Sequence, residues 1–126
     1  MKRIVLDPGG FLAWFTPEGR GLRGDYEAGG LEVHVPTGFA LDVLERVARQ
    51  PAAGRDHLGQ LADELERLGF REHDVSPVDA ARPLERGRNA RQAAYVALST
   101  ALDLVLVTDD PALLGAVGGA RRPAEA

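Results

Sequence analysis

The chain contains no cysteine and a single lysine, Lys2. Without thiols it has neither a disulfide framework nor a thiolate metal site, and the redox compartment stays open. No apolar run approaches the roughly 20 residues that a membrane-crossing helix needs. The N-terminus passes from Lys2-Arg3 through a few apolar residues to Asp7, which is not the pattern of a secretory signal peptide. A cytoplasmic location is the expectation. Excess positive charge is also missing: the net charge of -4 argues against sequence-independent coating of nucleic acid, which needs many phosphate-neutralising cations. No phosphate-binding glycine motif follows a strand, and neither Ser76 nor Ser99 sits in a nucleophile elbow. His34, His57 and His73 each lack a second histidine at i+3 or i+4, which argues against zinc.

What remains is an ordinary globular composition. The 126 residues are 44 % hydrophobic and 27 % charged, enough for one domain with one core. Ile4-Val5-Leu6 reads as a buried strand, and Asp7-Pro8 as an N-cap pair opening a short helix over residues 11–15. Residues 16–30 are rich in glycine and proline and read as loop. Leu31-Glu32-Val33-His34-Val35 alternates apolar and polar, as in a half-exposed strand near a sheet edge, with His34 and His73 at exposed positions. Phe39, Val43 and Val47 give residues 39–49 a helical stripe, with Arg46 one turn beyond Asp42 as its expected partner. Asp56 is placed to cap a second amphipathic helix, with Gly69 expected in the left-handed conformation after it. A short strand is expected over residues 70–75. Residues 78–85 are helical by pattern, although Pro83 should stop or kink them. Ser76 reads as a cap before Pro77, and Asp110 as the cap of a last helix over residues 111–117. Residues 118–126 are expected to fray. Strands alternating with helices define a small α/β domain with a mainly parallel sheet.

The centre of the pattern is residues 93–110, a buried helix followed by Leu104-Val105-Leu106-Val107 and then Thr108-Asp109-Asp110. If both apolar strands are parallel, Asp7 and Asp110 emerge at one carboxyl edge, where α/β folds place their chemistry. Asp42 can lean into the same place from the helix between. Carboxylates gathered together need a counter-charge, and Mg²⁺ or Mn²⁺ serves an oxygen-only set. Each aspartate also has an ordinary reading: Asp7 and Asp110 as N-caps, Asp42 as a solvated helix residue, Asp109 as a surface residue at a strand end. Arg82, Arg86, Arg88 and Arg91 form a basic run before the central helix. It reads as a solvated surface, or as a rim that holds a polyanion, since guanidinium grips phosphate bidentately.

Ile4-Val5-Leu6-Asp7, then Pro36 with Asp42-Val43-Leu44 after it, then Ala93-Ala94-Tyr95-Val96-Ala97-Leu98 followed by Leu106-Val107-Thr108-Asp109-Asp110, resemble a PIN domain. The resemblance is to the single-domain VapC toxins of bacterial toxin–antitoxin pairs and spans most of the chain. It implies a parallel α/β/α sandwich over residues 1–117; residues 118–126 lie beyond it and are expected to be a disordered tail. It also implies a Mg²⁺- or Mn²⁺-dependent ribonuclease, a homodimer and a cognate antitoxin. By position, the resemblance makes Asp7, Asp42 and Asp110 the metal-binding and catalytic acids, with Thr108 in support. Gln92 stands where the family carries a further acid, and Arg86, Arg88 and Arg91 are candidates to hold RNA.

The chain departs from the family at Gln92, which supplies an oxygen but no charge, at Asp42, one methylene shorter than the usual glutamate, and at Gly9, where a small polar residue is usual. Such a site should hold its cation more weakly. The sequence therefore supports two readings: a PIN-like endoribonuclease, or a catalytically degenerate PIN-fold module acting by protein or RNA binding. A response-regulator receiver domain is rejected because no late lysine exists. A haloacid-dehalogenase-type phosphatase is rejected because Gly9 replaces its second aspartate.

Overall fold

The computed structural model describes residues 1–51 and 57–126. Asp56, expected as a helix cap, lies outside the described residues. The elements run β1 (Lys2–Leu6), α1 (Pro8–Leu12), α2 (Arg20–Glu27), β2 (Leu31–Pro36), α3 (Phe39–Ala48), α4 (Leu58–Arg67), β3 (Arg71–His73), α5 (Pro77–Glu85), α6 (Ala90–Leu102), β4 (Val105–Val107) and α7 (Pro111–Ala116). Every strand pairing is parallel and the order is β3-β2-β1-β4. The protein is therefore a small α/β/α sandwich on a parallel sheet. Because the chain steps from β1 outward to β3 and then returns to the far side of β1, a crevice opens beyond the carboxyl ends of β1 and β4.

Burial decides the strand sequences. Val5, Leu6, Val35 and Val107 are fully enclosed, as expected of a sheet covered on both faces. The alternation in β2 does not mark an edge: β2 is an interior strand between β1 and β3. Its polar residue His34 is buried, its Nδ1 lying 2.8 Å from His73 Nε2 and its Nε2 2.7 Å from Glu32 Oε1. His73 from the neighbouring β3 and Glu32 two residues back on β2 are the partners that make an interior histidine tolerable.

Four further expectations are corrected. Residues 16–30 contain α2, whose Leu22 packs into the core. Apolar burial outweighs the weak helix propensity of its glycines. Pro83 lies inside α5, which ends two residues later at Glu85. Gly87 then takes φ +89 while the Gly87 and Arg88 amides donate to Leu84 O and Pro83 O, a left-handed cap that terminates the helix. Gly69 does not adopt the left-handed conformation: α4 ends with Leu68 extended. The last residues do not fray either. Arg121 forms a parallel bridge with Val107, donating to Leu106 O at 2.9 Å and accepting from Thr108 N–H at 3.0 Å, and Ala120 and Pro123 are buried. The exposed edge of β4 needs backbone partners, and this segment provides them.

Phe11, Trp14, Phe15, Tyr26, Phe39 and Phe70 form one linked cluster, with ring centroids 5.3–5.9 Å apart. Tyr95 stands apart, buried on α6, which packs against β1, β2 and β4. That separation places its hydroxyl at the candidate site.

Candidate active site

Asp7 follows β1 directly. As the N-cap of α1, its Oδ1 accepts from Gly10 N–H at 2.7 Å. Its Oδ2 accepts from the hydroxyl of Thr108, which follows β4 and is completely buried. Leu6 and Val107 are register partners, so the residues after them meet. Gly10 makes the meeting possible: a β-carbon there would lie 2.6 Å from the Val107 carbonyl oxygen. Burial pushes the Asp7 carboxyl up to about 6, against the hydrogen bonds from Thr108 and Gly10. The Asp109 charge pushes in the same direction and Arg46 opposes it.

Thr108 has two jobs, since its Oγ1 also accepts from Asp110 N–H at 3.0 Å. Asp110 in turn caps α7: its Oδ1 accepts from Ala112 N–H at 2.9 Å. Its Oδ2 accepts from Gln92 Nε2 at 3.0 Å. Asp42, in the first turn of α3, accepts from Tyr95 Oη at 2.9 Å on Oδ2 and lies 3.2 Å from Arg91 Nε on Oδ1. Burial and the Asp42 carboxylate hold the Tyr95 phenol well above its usual range, so it remains a donor.

Asp7, Asp42, Gln92, Arg91 and Asp110 thus line one pocket of about 420 Å³, as anticipated from sequence. Asp109, read from sequence as a surface residue, lines it too and pairs with Arg46 at 3.1 Å. The expected Asp42–Arg46 pair is replaced by Asp42–Arg91, because α6 delivers Arg91 to both Asp42 and Glu45. Gly9 lies beneath the Arg46–Asp109 pair: a β-carbon there would overlap the Asp109 carboxylate and approach Arg46 Nη1 to 2.7 Å. The missing side chain at residue 9 makes room for an ion pair.

Two expectations do not hold. Gln92 does not offer its oxygen to the pocket. Its Oε1 accepts from Asn89 N–H at 3.1 Å while Asn89 Oδ1 accepts from Gln92 N–H at 2.8 Å, a reciprocal capping box that satisfies the first amides of α6. The Asn89-x-x-Gln92 spacing carries that signal in the sequence. Arg86 and Arg88 do not stand with Arg91. They line a separate cavity of about 310 Å³ with Arg82, over an apolar floor that includes Pro83, Val96 and Ala97. Tyr95 and Arg46 are site residues that sequence reasoning missed. Tyr95 pointed to no partner along the chain and Arg46 to Asp42, and only the packing of α3, α6 and β4 gives Tyr95 to Asp42 and Arg46 to Asp109.

The donor set is oxygen-only and includes one desolvated carboxylate, a chemistry that suits a hard divalent cation. In the present arrangement each carboxylate oxygen of Asp7, Asp42 and Asp110 already faces a protein donor. Among the described residues, no three His, Cys, Asp or Glu side chains converge as a metal-holding group.

No family model matches this chain, and no curated protein matches it either. A solved structure, that of PAE2754 from Pyrobaculum aerophilum, is similar over 98 % of this chain and 90 % of its own, with a TM-score of 0.72 and 19 % sequence identity. At that identity the likeness establishes a shared fold and leaves the activity to the site. Among the described residues no helix is long and apolar enough to cross a membrane.

Proposed function

We propose that the protein is a PIN-like, Mg²⁺- or Mn²⁺-dependent endoribonuclease, the toxin of a toxin–antitoxin pair, working in the cytoplasm as a homodimer. The observation that carries this reading is that Asp7, Asp42 and Asp110, from three separate chain segments, line one pocket at the carboxyl edge of a parallel sheet. Asp7, Asp42 and Asp110 are the residues that would hold the cation. When bound, it would polarise the scissile phosphate and lower the pKa of the attacking water. The chain's own contribution is positional. Thr108 orients Asp7 and the start of α7 together, and Tyr95 fixes the rotamer of Asp42. Arg46, Arg49 and Arg91 put positive charge on the same pocket wall, where an RNA phosphate can be gripped.

The test is cleavage of single-stranded RNA by the purified chain in Mn²⁺, compared with Asp7→Asn prepared in parallel. Loss of at least about a hundredfold in rate is expected when a buried acid of this kind is neutralised. Equal cleavage by both proteins would assign the activity elsewhere.

A second reading has its own support. Arg91 and Arg46 neutralise Asp42 and Asp109 internally, and Gln92 has its oxygen in the helix cap. These features favour a degenerate PIN-fold module that acts by binding RNA or an antitoxin. Such a protein would bind RNA with no divalent-dependent cleavage.

A further inference from the structure

The acidic pocket holds an excess of aspartate, yet its carboxylates are not left without cations. Arg91, at the start of α6, reaches α3 and contacts both Asp42 and Glu45. These two acids lie three residues apart on one helix, the spacing that presents them on a common face. A planar guanidinium is suited to spanning two such acceptors. The contact holds Glu45 below the usual carboxylate range and raises Arg91 above its own. Across the pocket, Arg46 plays the corresponding part for Asp109, in space that only a glycine at residue 9 leaves open. Gln92 brings no charge that would call for a further cation.

We infer that Arg91 is a resident counter-cation of this pocket, occupying the charge role of a divalent ion at Asp42, so that metal loading requires its displacement. The inference rests on the metal-dependent reading above and deepens it by naming what governs occupancy. Displacement is geometrically open. The Arg91 side chain is 42 % exposed, and Glu45, on the solvent side of the contact, remains as its partner when Asp42 turns to another cation. Occupancy would then respond to whatever draws Arg91 away, including the phosphates of a bound RNA.

The experiment is calorimetric titration of MnCl₂ into the full chain, the Arg91→Gln variant and the Arg49→Gln variant. Arg49 lines the same pocket but pairs only with Glu45, at 3.7 Å, so its loss removes the same charge without freeing Asp42. Arg91→Gln should bind Mn²⁺ about tenfold or more tightly than the parent, and Arg49→Gln within about threefold of it. Arg91→Met, which keeps the apolar stem, should repeat the gain if the glutamine variant folds poorly. Equal or weaker binding by the Arg91 variants, absence of binding in all proteins, or an equal gain in Arg49→Gln would overturn the inference. RNA cleavage by the same parent preparation separates the two proposals. Cleavage without the Arg91 effect removes the counter-cation and leaves the nuclease. The Arg91 effect without cleavage does the reverse.

Discussion

In the acidic pocket each arginine faces a carboxylate: Arg46 meets Asp109, Arg91 meets Asp42 and Glu45, and Arg49 meets Glu45. In the cavity lined by Arg82, Arg86 and Arg88, none of the three forms an ion pair among the described residues, although Asp79 shares the lining, and Val96, Ala97 and Val117 supply apolar wall. One side-chain type thus serves two ends. In the pocket, guanidinium groups neutralise and order carboxylates that the fold forces together. In the cavity, positive charge is presented outward on a chain whose net charge is negative. A basic run in sequence therefore does not make a basic surface in space. The turn at Gly87 and the cap at Asn89 send Arg86 and Arg88 to one side and Arg91 to the other.

The contrast can be broken most severely at Thr108. Replacing it by valine removes a buried donor to Asp7 and an acceptor for the Asp110 amide together, and should destabilise the protein by about 2–4 kcal/mol at neutral pH. Urea unfolding measures it, and a loss under about 0.5 kcal/mol would show that the Asp7 carboxylate does not depend on this hydroxyl.

The next effect concerns pH. Asp7 keeps its proton up to about pH 6 when folded, against 3.8 for the unfolded value. The folded state therefore binds more protons between these limits, and the stability that Asp7 contributes at low pH is lost as pH rises through about 6. In metal-free protein the loss should be on the order of 2–3 kcal/mol. Asp7→Asn carries no such titration. Its stability relative to the parent should improve from pH 4 to pH 7, and a pH-independent difference would contradict the burial of a charge there.

Asn89→Ala is expected to lower stability by about 1 kcal/mol, the usual worth of an N-cap. The backbone N–H of residue 89 still donates to Gln92 Oε1 in this variant, so urea unfolding reads the loss of the Asn89 side chain alone. The smallest effect belongs to the cavity. Arg86→Ala with Arg88→Ala should leave stability within about 0.5 kcal/mol, since neither arginine forms an ion pair among the described residues. If the cavity contacts phosphate, the double variant should weaken RNA binding and reduce its salt dependence. An unchanged salt slope would remove RNA from that surface.

The elements most plainly written in the sequence are those with local causes. Ile4-Val5-Leu6 is apolar on both faces and became a buried strand, and Asp7, Ser76 and Asp110 precede prolines and became N-caps. The parallel sheet followed from the alternation of strands and helices, and with it the gathering of Asp7, Asp42 and Asp110 at one edge. What tertiary structure alone decided was which donor each carboxylate meets. Asp42 has Arg46 one helical turn away, yet takes Arg91 and Tyr95 from a helix about 50 residues distant in the chain, because α6, packed over β1, β2 and β4, carries those side chains to the first turn of α3. His34 looked exposed by alternation and is buried, because β2 lies inside the sheet and His73, two residues beyond its register partner Arg71, reaches its ring from β3. Residues 118–126 carry no periodicity that marks a strand. They are ordered because the open edge of β4 leaves backbone groups that Arg121 satisfies. Hydrophobic periodicity is local and readable along the chain, whereas pairings of charge and hydrogen bonds depend on distances that exist only once the layers have closed.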